Sequence, residues 1–147
     1  MANIDRADWH YGGNYPKDLP PENGGTHIGM YLAWIVHRNL GSNELRQHAG
    51  DTYGWVLNRE VTGRELLLTK FDEKFFDELL SPEGQAFTHS YYGSNAFAND
   101  YDRVLGGDLP SLYHVADTRE NFDKLVPVLD ERFAAWRALH ERPIDPL

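Results

Sequence analysis

The most regular hydrophobic pattern in the chain lies toward its C-terminal end. Phe122, Leu125, Val126, Leu129, Phe133 and Trp136 stand at offsets 0, 3, 4, 7, 11 and 14, the spacing of one helix face. The pattern predicts a helix that starts at Asp117 or Thr118. Pro127, about two turns in, lacks an N–H and clashes one turn back, so a kink is expected there. A second helix is predicted over 27–40, capped by Thr26 and closed by Gly41. Ile28, Tyr31, Leu32 and Ile35 give it one apolar face, and Met30, Ala33, Trp34 and Val36 make the other faces apolar too. A helix apolar nearly all round belongs in the middle of a bundle. Gly29, which weakens the helix, marks a place where another backbone comes close.

Shorter elements fill the middle of the chain. Ser42 or Asn43 caps a helical turn reaching His48, and residues 51–60 form another. Thr62 with Glu65 makes a capping box opening "RELLLTKF". "DEKFFDELL" continues that helix or starts a short one after Asp72. Ser81, Pro82 and Glu83 begin a further helix, and "NAFANDYDRVLGG" continues it to Gly106-Gly107. Pro110 makes "DLPSLYHV" extended. Residues 1–25, punctuated by Gly pairs and prolines, read as an irregular but ordered lead-in, with Trp9, Tyr11, Tyr15 and Leu19 laid across the surface. Alternating patterns are rare. The expected fold is mostly α: a compact, single-domain, irregular helical bundle over residues 1–147 with a long aromatic-rich N-terminal loop.

Composition narrows the function classes. Hydrophobic residues make up 41% and aromatics 13%, enough for a real core at 147 residues. Cysteine is absent, which excludes a disulfide scaffold, a thiolate metal site and a cysteine nucleophile. The N-terminus shows no secretory h-region, and the apolar run Ile28–Val36 falls short of the ~20 residues of a membrane span. A cytoplasmic protein is therefore expected. The net charge is −9, with residues 74–147 holding 13 acids against 7 bases. Such a field disfavours nucleic acid and membrane surfaces and favours a cationic partner.

Candidate chemistry is sparse. No G-x-S-x-G elbow is present, and the Gly-rich "NGGTHIG" lacks a P-loop lysine. Seven histidines stand at 10, 27, 37, 48, 89, 114 and 140, none paired at i, i+4. Asp8 and His10 in "DWH", folded back onto His27 at the helix start, would make three metal ligands converge. The plainer role of His10 and His27 is to hydrogen-bond backbone or carboxylate and fix the lead-in. The acidic pairs read as solvated faces, and together they offer a surface to a basic partner. Asp77, Glu78, Asp100 and Asp102, with Tyr91, Tyr92 and Tyr113 nearby, are the candidate binding residues.

The blocks "DWHYGGNYPKDLPP", "THIGMYLAW", "TGRELLL", "EGQAF" with its following "YY", and "LYHVADTRENFD" resemble a family of small acidic bacterial proteins classed as a domain of unknown function. The resemblance implies no established activity, cofactor or catalytic residue. In character such chains are similar to immunity proteins that neutralise a toxin. The expectation is therefore a non-enzymatic protein-binding protein, an immunity protein whose acidic surface meets a basic toxin, with no cofactor. The alternative is a small-ligand- or metal-binding enzyme using Asp8, His10 and His27.

Overall fold

The structure, a computed structural model, describes residues 2–140. Met1 and residues 141–147 of the expected 1–147 domain lie outside the described residues. The fold is mostly α and compact, as the apolar periodicity predicts. The helices are α1 (Ala7–Tyr11), α2 (Thr26–His37), α3 (Asn43–Ala49), α4 (Asp51–Leu57), α5 (Gly63–Lys70), α6 (Pro82–Tyr91), α7 (Ala96–Tyr101) and α8 (Arg119–His140). Two short strands, β1 (Asn3–Arg6) and β2 (Lys74–Phe76), pair antiparallel. No helix among the described residues is long and apolar enough to cross a membrane.

The all-round apolar segment does become the central helix. Every residue of α2 from Thr26 to Val36 is buried. Its neighbours supply Leu45, Leu66, Leu67, Phe75, Phe87, Phe97, Leu125 and Leu129, all 0 or 1% exposed. Gly29 is the predicted point of close approach. A Cβ there would stand 2.3 Å from the amide nitrogen of Arg64, and one on Gly63 would stand 1.8 Å from the Gly29 carbonyl oxygen. The two glycines let α2 and α5 touch backbone to backbone, closer than any side chain allows.

Three of the predicted caps form. Ser42 accepts from the Leu45 N–H at 3.3 Å, Thr62 from that of Glu65 at 3.2 Å and Ser81 from that of Gly84 at 3.0 Å. Thr26 does not cap α2. It is the first helical residue, and its hydroxyl accepts from Arg64 Nη1 at 3.1 Å instead.

Three expectations need correction. The lead-in contains regular structure, β1 followed by α1, and Trp9 in it is 54% exposed rather than anchored. "DEKFFDELL" is not helical; it supplies β2 and a 3-10 turn, with Asp72 and Glu73 both at positive φ to break away from α5. "DLPSLYHV" forms no strand, but a 3-10 turn at Leu112–His114. In the first two cases the β1–β2 pairing supplied what local sequence could not, a long-range partner for each strand.

The C-terminal stripe folds as read. Leu125 and Leu129 are buried, and Phe133 packs edge-on to Trp34 at 5.6 Å between centroids. Asp130 of α8 accepts from the Trp34 indole at 2.9 Å and from both Arg38 donors at 2.7 Å, fixing α8 along α2.

Candidate functional site

The start of α2 is where polar chemistry enters the core. His27 lies in its first turn and is buried. α1 brings His10 beside it, the two rings edge to face at 4.5 Å. The residue that joins them is Asp5. Its Oδ1 lies 2.8 Å from His10 Nε2, and its Oδ2 lies 3.4 Å from His27 Nε2.

Asp5 reaches the core through an irregularity in the strand pair. Asn3 pairs with Phe76, yet Asp5 pairs with Phe75, so β1 spends one residue more than β2 between these points. A one-residue slip exchanges the faces of a strand. Without it Ile4 would stand opposite the fully buried Phe75; with it Asp5 does, 7% exposed.

The carboxylate is well supplied with donors. Oδ1 also accepts the Arg6 N–H at 2.8 Å, and Oδ2 accepts the Tyr92 hydroxyl at 2.5 Å. Burial alone would push the Asp5 carboxyl up. The hydrogen bonds and charge of His10 and His27 outweigh it and hold Asp5 well below the usual carboxylate range. Because a carboxylate only accepts, His10 donates to Asp5 from Nε2, and its Nδ1 lies 2.7 Å from the Tyr113 hydroxyl oxygen. Burial lowers the pKa of His27, with Asp5 opposing, and raises those of the Tyr92 and Tyr113 hydroxyls. His27 Nδ1 and the Tyr101 hydroxyl are both buried without a hydrogen-bond partner, their rings 6.0 Å apart.

The outer wall comes from elsewhere in the chain. Asn23 Nδ2 donates to the Tyr113 carbonyl at 2.9 Å, and Tyr15 packs on the Tyr113 ring at 5.0 Å. His114, held between Ser111 at 2.8 Å and Asp18 at 3.0 Å, pins the same turn over the lead-in.

One ligand atom from each of Asp5, His10 and His27 can be chosen so that all three lie within 4.8 Å of one another. Ligand atoms about 2.0–2.1 Å from a tetrahedral zinc ion stand about 3.3 Å apart. His10 Nε2 lies 2.8 Å from Asp5 Oδ1 and His27 Nε2 lies 3.4 Å from Asp5 Oδ2, so small shifts would bring one carboxylate oxygen and the two nitrogens to that spacing. Borderline imidazole nitrogens with one carboxylate suit a first-row divalent ion such as Zn²⁺.

Sequence alone points to His10 and His27 with Asp8, whereas the structure brings Asp5 to the two histidines. Asp8 and His10 are two residues apart on α1, about 200° around the helix, so they point to opposite sides. Asp8 turns outward into a fork with Arg6, at 2.9 and 2.7 Å. Only the spacing Asp5 to His10, strand into helix, could have signalled the right acid, and that needed the strand to be recognised.

The seven residues expected to form an acidic recognition surface are distributed differently. Tyr92 and Tyr113 belong to the Asp5–histidine cluster. Asp100 is 4% exposed and is held by Arg132 at 2.8 and 3.0 Å and by the Tyr91 hydroxyl at 2.6 Å. Tyr91 is buried and stacks on Phe87. Asp77 lies 2.9 Å from His89 Nε2. Glu78 is half-buried in a 3-10 turn, and its carbonyl accepts from Ser42. Asp102 is exposed. The fold therefore uses Asp100 and Tyr91 for packing, and does not present the seven as one face.

No curated protein and no solved structure matches the chain. A family profile described as a domain of unknown function, DUF7832, matches residues 3–115, a span holding Asp5, His10, His27, Tyr92 and Tyr113. On that match, which covers well over half of its 147 residues, the chain belongs to the DUF7832 family.

Proposed function

We propose that this chain is a metal-binding protein whose ion, of the Zn²⁺ class, is held by Asp5, His10 and His27 where α1, β1 and the start of α2 meet. The observation that carries the reading is the convergence of two imidazoles on one buried carboxylate, with ligand atoms within 4.8 Å. His27 is buried and turns Nε2 toward Asp5, so the second imidazole is already in place. In the absence of an ion the same hydrogen bonds staple the lead-in to the core, so the cluster has a structural role in either state.

The test is direct. Purified full chain is stripped with chelator, equilibrated with Zn²⁺ and assayed for bound metal by mass spectrometry. One ion per chain is expected. Asp5→Asn, His10→Ala and His27→Ala should lose it, whereas Asp8→Ala and the exposed His48→Ala should keep it. Circular dichroism verifies that each variant is folded. Absence of a stoichiometric ion from the wild type, or its retention by all three ligand variants, overturns the proposal.

A second reading, recognition of a basic protein such as a toxin, draws on the net charge of −9. It predicts salt-sensitive binding to the product of the neighbouring gene, weakened by Asp102→Lys. No binding at low salt would end it.

A further inference from the structure

We infer that the ion held by Asp5, His10 and His27 keeps an exchangeable coordination position that takes a small anion with an oxygen or nitrogen donor. The inference rests on the metal-binding reading above and concerns what the loaded centre does.

The donor count comes first. Three side chains bring ligand atoms together, and among the described residues no fourth histidine, aspartate or glutamate joins them. Closed structural zinc sites use four protein ligands; sites that exchange a ligand use three. Charge is the second argument. A divalent ion with one carboxylate and two neutral imidazoles leaves a net charge of +1 in a largely buried place. The polar neighbours, Tyr92 and Tyr113, are hydroxyls already engaged by Asp5 and His10. A buried charge without a counter-charge is expensive. An anion in the fourth position removes that cost.

Access is the third argument. The side chains of Asp5 and His27 are 10% and 5% exposed, but that of His10 is 23% exposed. The ion is therefore walled by β1 and α2 on one side and approachable past His10, beside the rim formed by Tyr113 and Tyr15. In plain buffer water or hydroxide takes this position, because zinc lowers the pKa of a bound water well below that of bulk water. Carboxylate or azide competes for the same position.

The experiment uses the full chain loaded with Co²⁺, whose visible bands report coordination, titrated with azide and separately with acetate at constant ionic strength. A saturable band change with each anion is expected, and azide should be displaced by acetate. Asp8→Ala and His48→Ala proteins, altered outside the cluster, should respond as the wild type does, and Tyr92→Phe and Tyr113→Phe test whether either hydroxyl is itself a ligand. Intact cobalt bands indifferent to both anions would mean a closed site and overturn the exchangeable position alone. A response that appears only after one tyrosine is removed would mean that its phenolate fills the position, which also overturns it. Absence of protein-bound cobalt bands refutes the metal reading and this inference with it.

Discussion

Gly29→Ala tests the contact on which the position of α2 depends. In an exposed helix this change would stabilise by about 1 kcal/mol through backbone propensity. Here the added methyl would stand 2.3 Å from the Arg64 nitrogen and 2.4 Å from its Cα. Both atoms are backbone, so no side-chain rotation relieves the clash, and α5 must move away by about 1.2–1.7 Å to restore ordinary van der Waals distances. Overpacking of a core costs about 1–3 kcal/mol, occasionally more. Taking the upper value against the propensity gain leaves a net loss of about 2 kcal/mol. For a chain of this size that lowers Tm by roughly 4–8 °C. Gly54→Ala is the matched control. Gly54 lies inside α4, and a Cβ there meets nothing within 4 Å. The same substitution should stabilise by about 0.5–1 kcal/mol. Urea unfolding of both variants at neutral pH, with equal m values, gives the two free energies. If Gly29→Ala proves as stable as the wild type while Gly54→Ala behaves as expected, the close-approach argument is wrong.

Three other outcomes follow from the same structure. Saturating Zn²⁺ at one hundred times Kd should raise the unfolding free energy by about 2.7 kcal/mol; calorimetry should find that gain in wild type and Asp8→Ala and no gain in Asp5→Asn or His27→Ala. Asp100→Asn should cost about 2 kcal/mol, less than a fully buried pair, because Arg132 and Arg103 are more than half exposed. Burial would raise the Asp100 carboxyl, but Arg132, Tyr91 and Arg103 hold it below its ordinary value. Its contribution is therefore complete above the unfolded value of about 3.9 and is lost as pH falls through the lower folded value. The gap in urea midpoint between wild type and Asp100→Asn should accordingly narrow below about pH 4, and a gap that widens there would refute the sign. Tyr31→Phe removes a 2.8 Å hydrogen bond to Thr88 between two fully buried side chains; a loss of about 1–2 kcal/mol by thermal unfolding is expected, and a neutral result would show that Thr88 finds another partner at no cost.

Much of the helical framework was legible in residue order because its signals are local. The caps at Ser42, Thr62 and Ser81 act within three residues. The α8 stripe and the apolar α2 repeat at the helical period, and Gly29 announced a close contact by being glycine where any other helix former would serve. The site was half legible. His10 and His27 stood out as histidines flanking the start of a buried helix. Asp5 did not, because its inward direction depends on a bulge in a strand whose partner lies some seventy residues away. The placement of Asp100 was hidden for a related reason. Carboxylates beside tyrosines look alike in sequence whether they face water or an arginine from α8, and Asp100 faces Arg132.

Sequence by itself determined what is periodic or short-ranged: a cysteine-free, acidic, mostly helical chain organised around one apolar helix. Tertiary structure alone decided which acid meets the two histidines. A side chain's face on a helix follows from its position, whereas its face on an irregular strand is set by register against a partner distant in sequence.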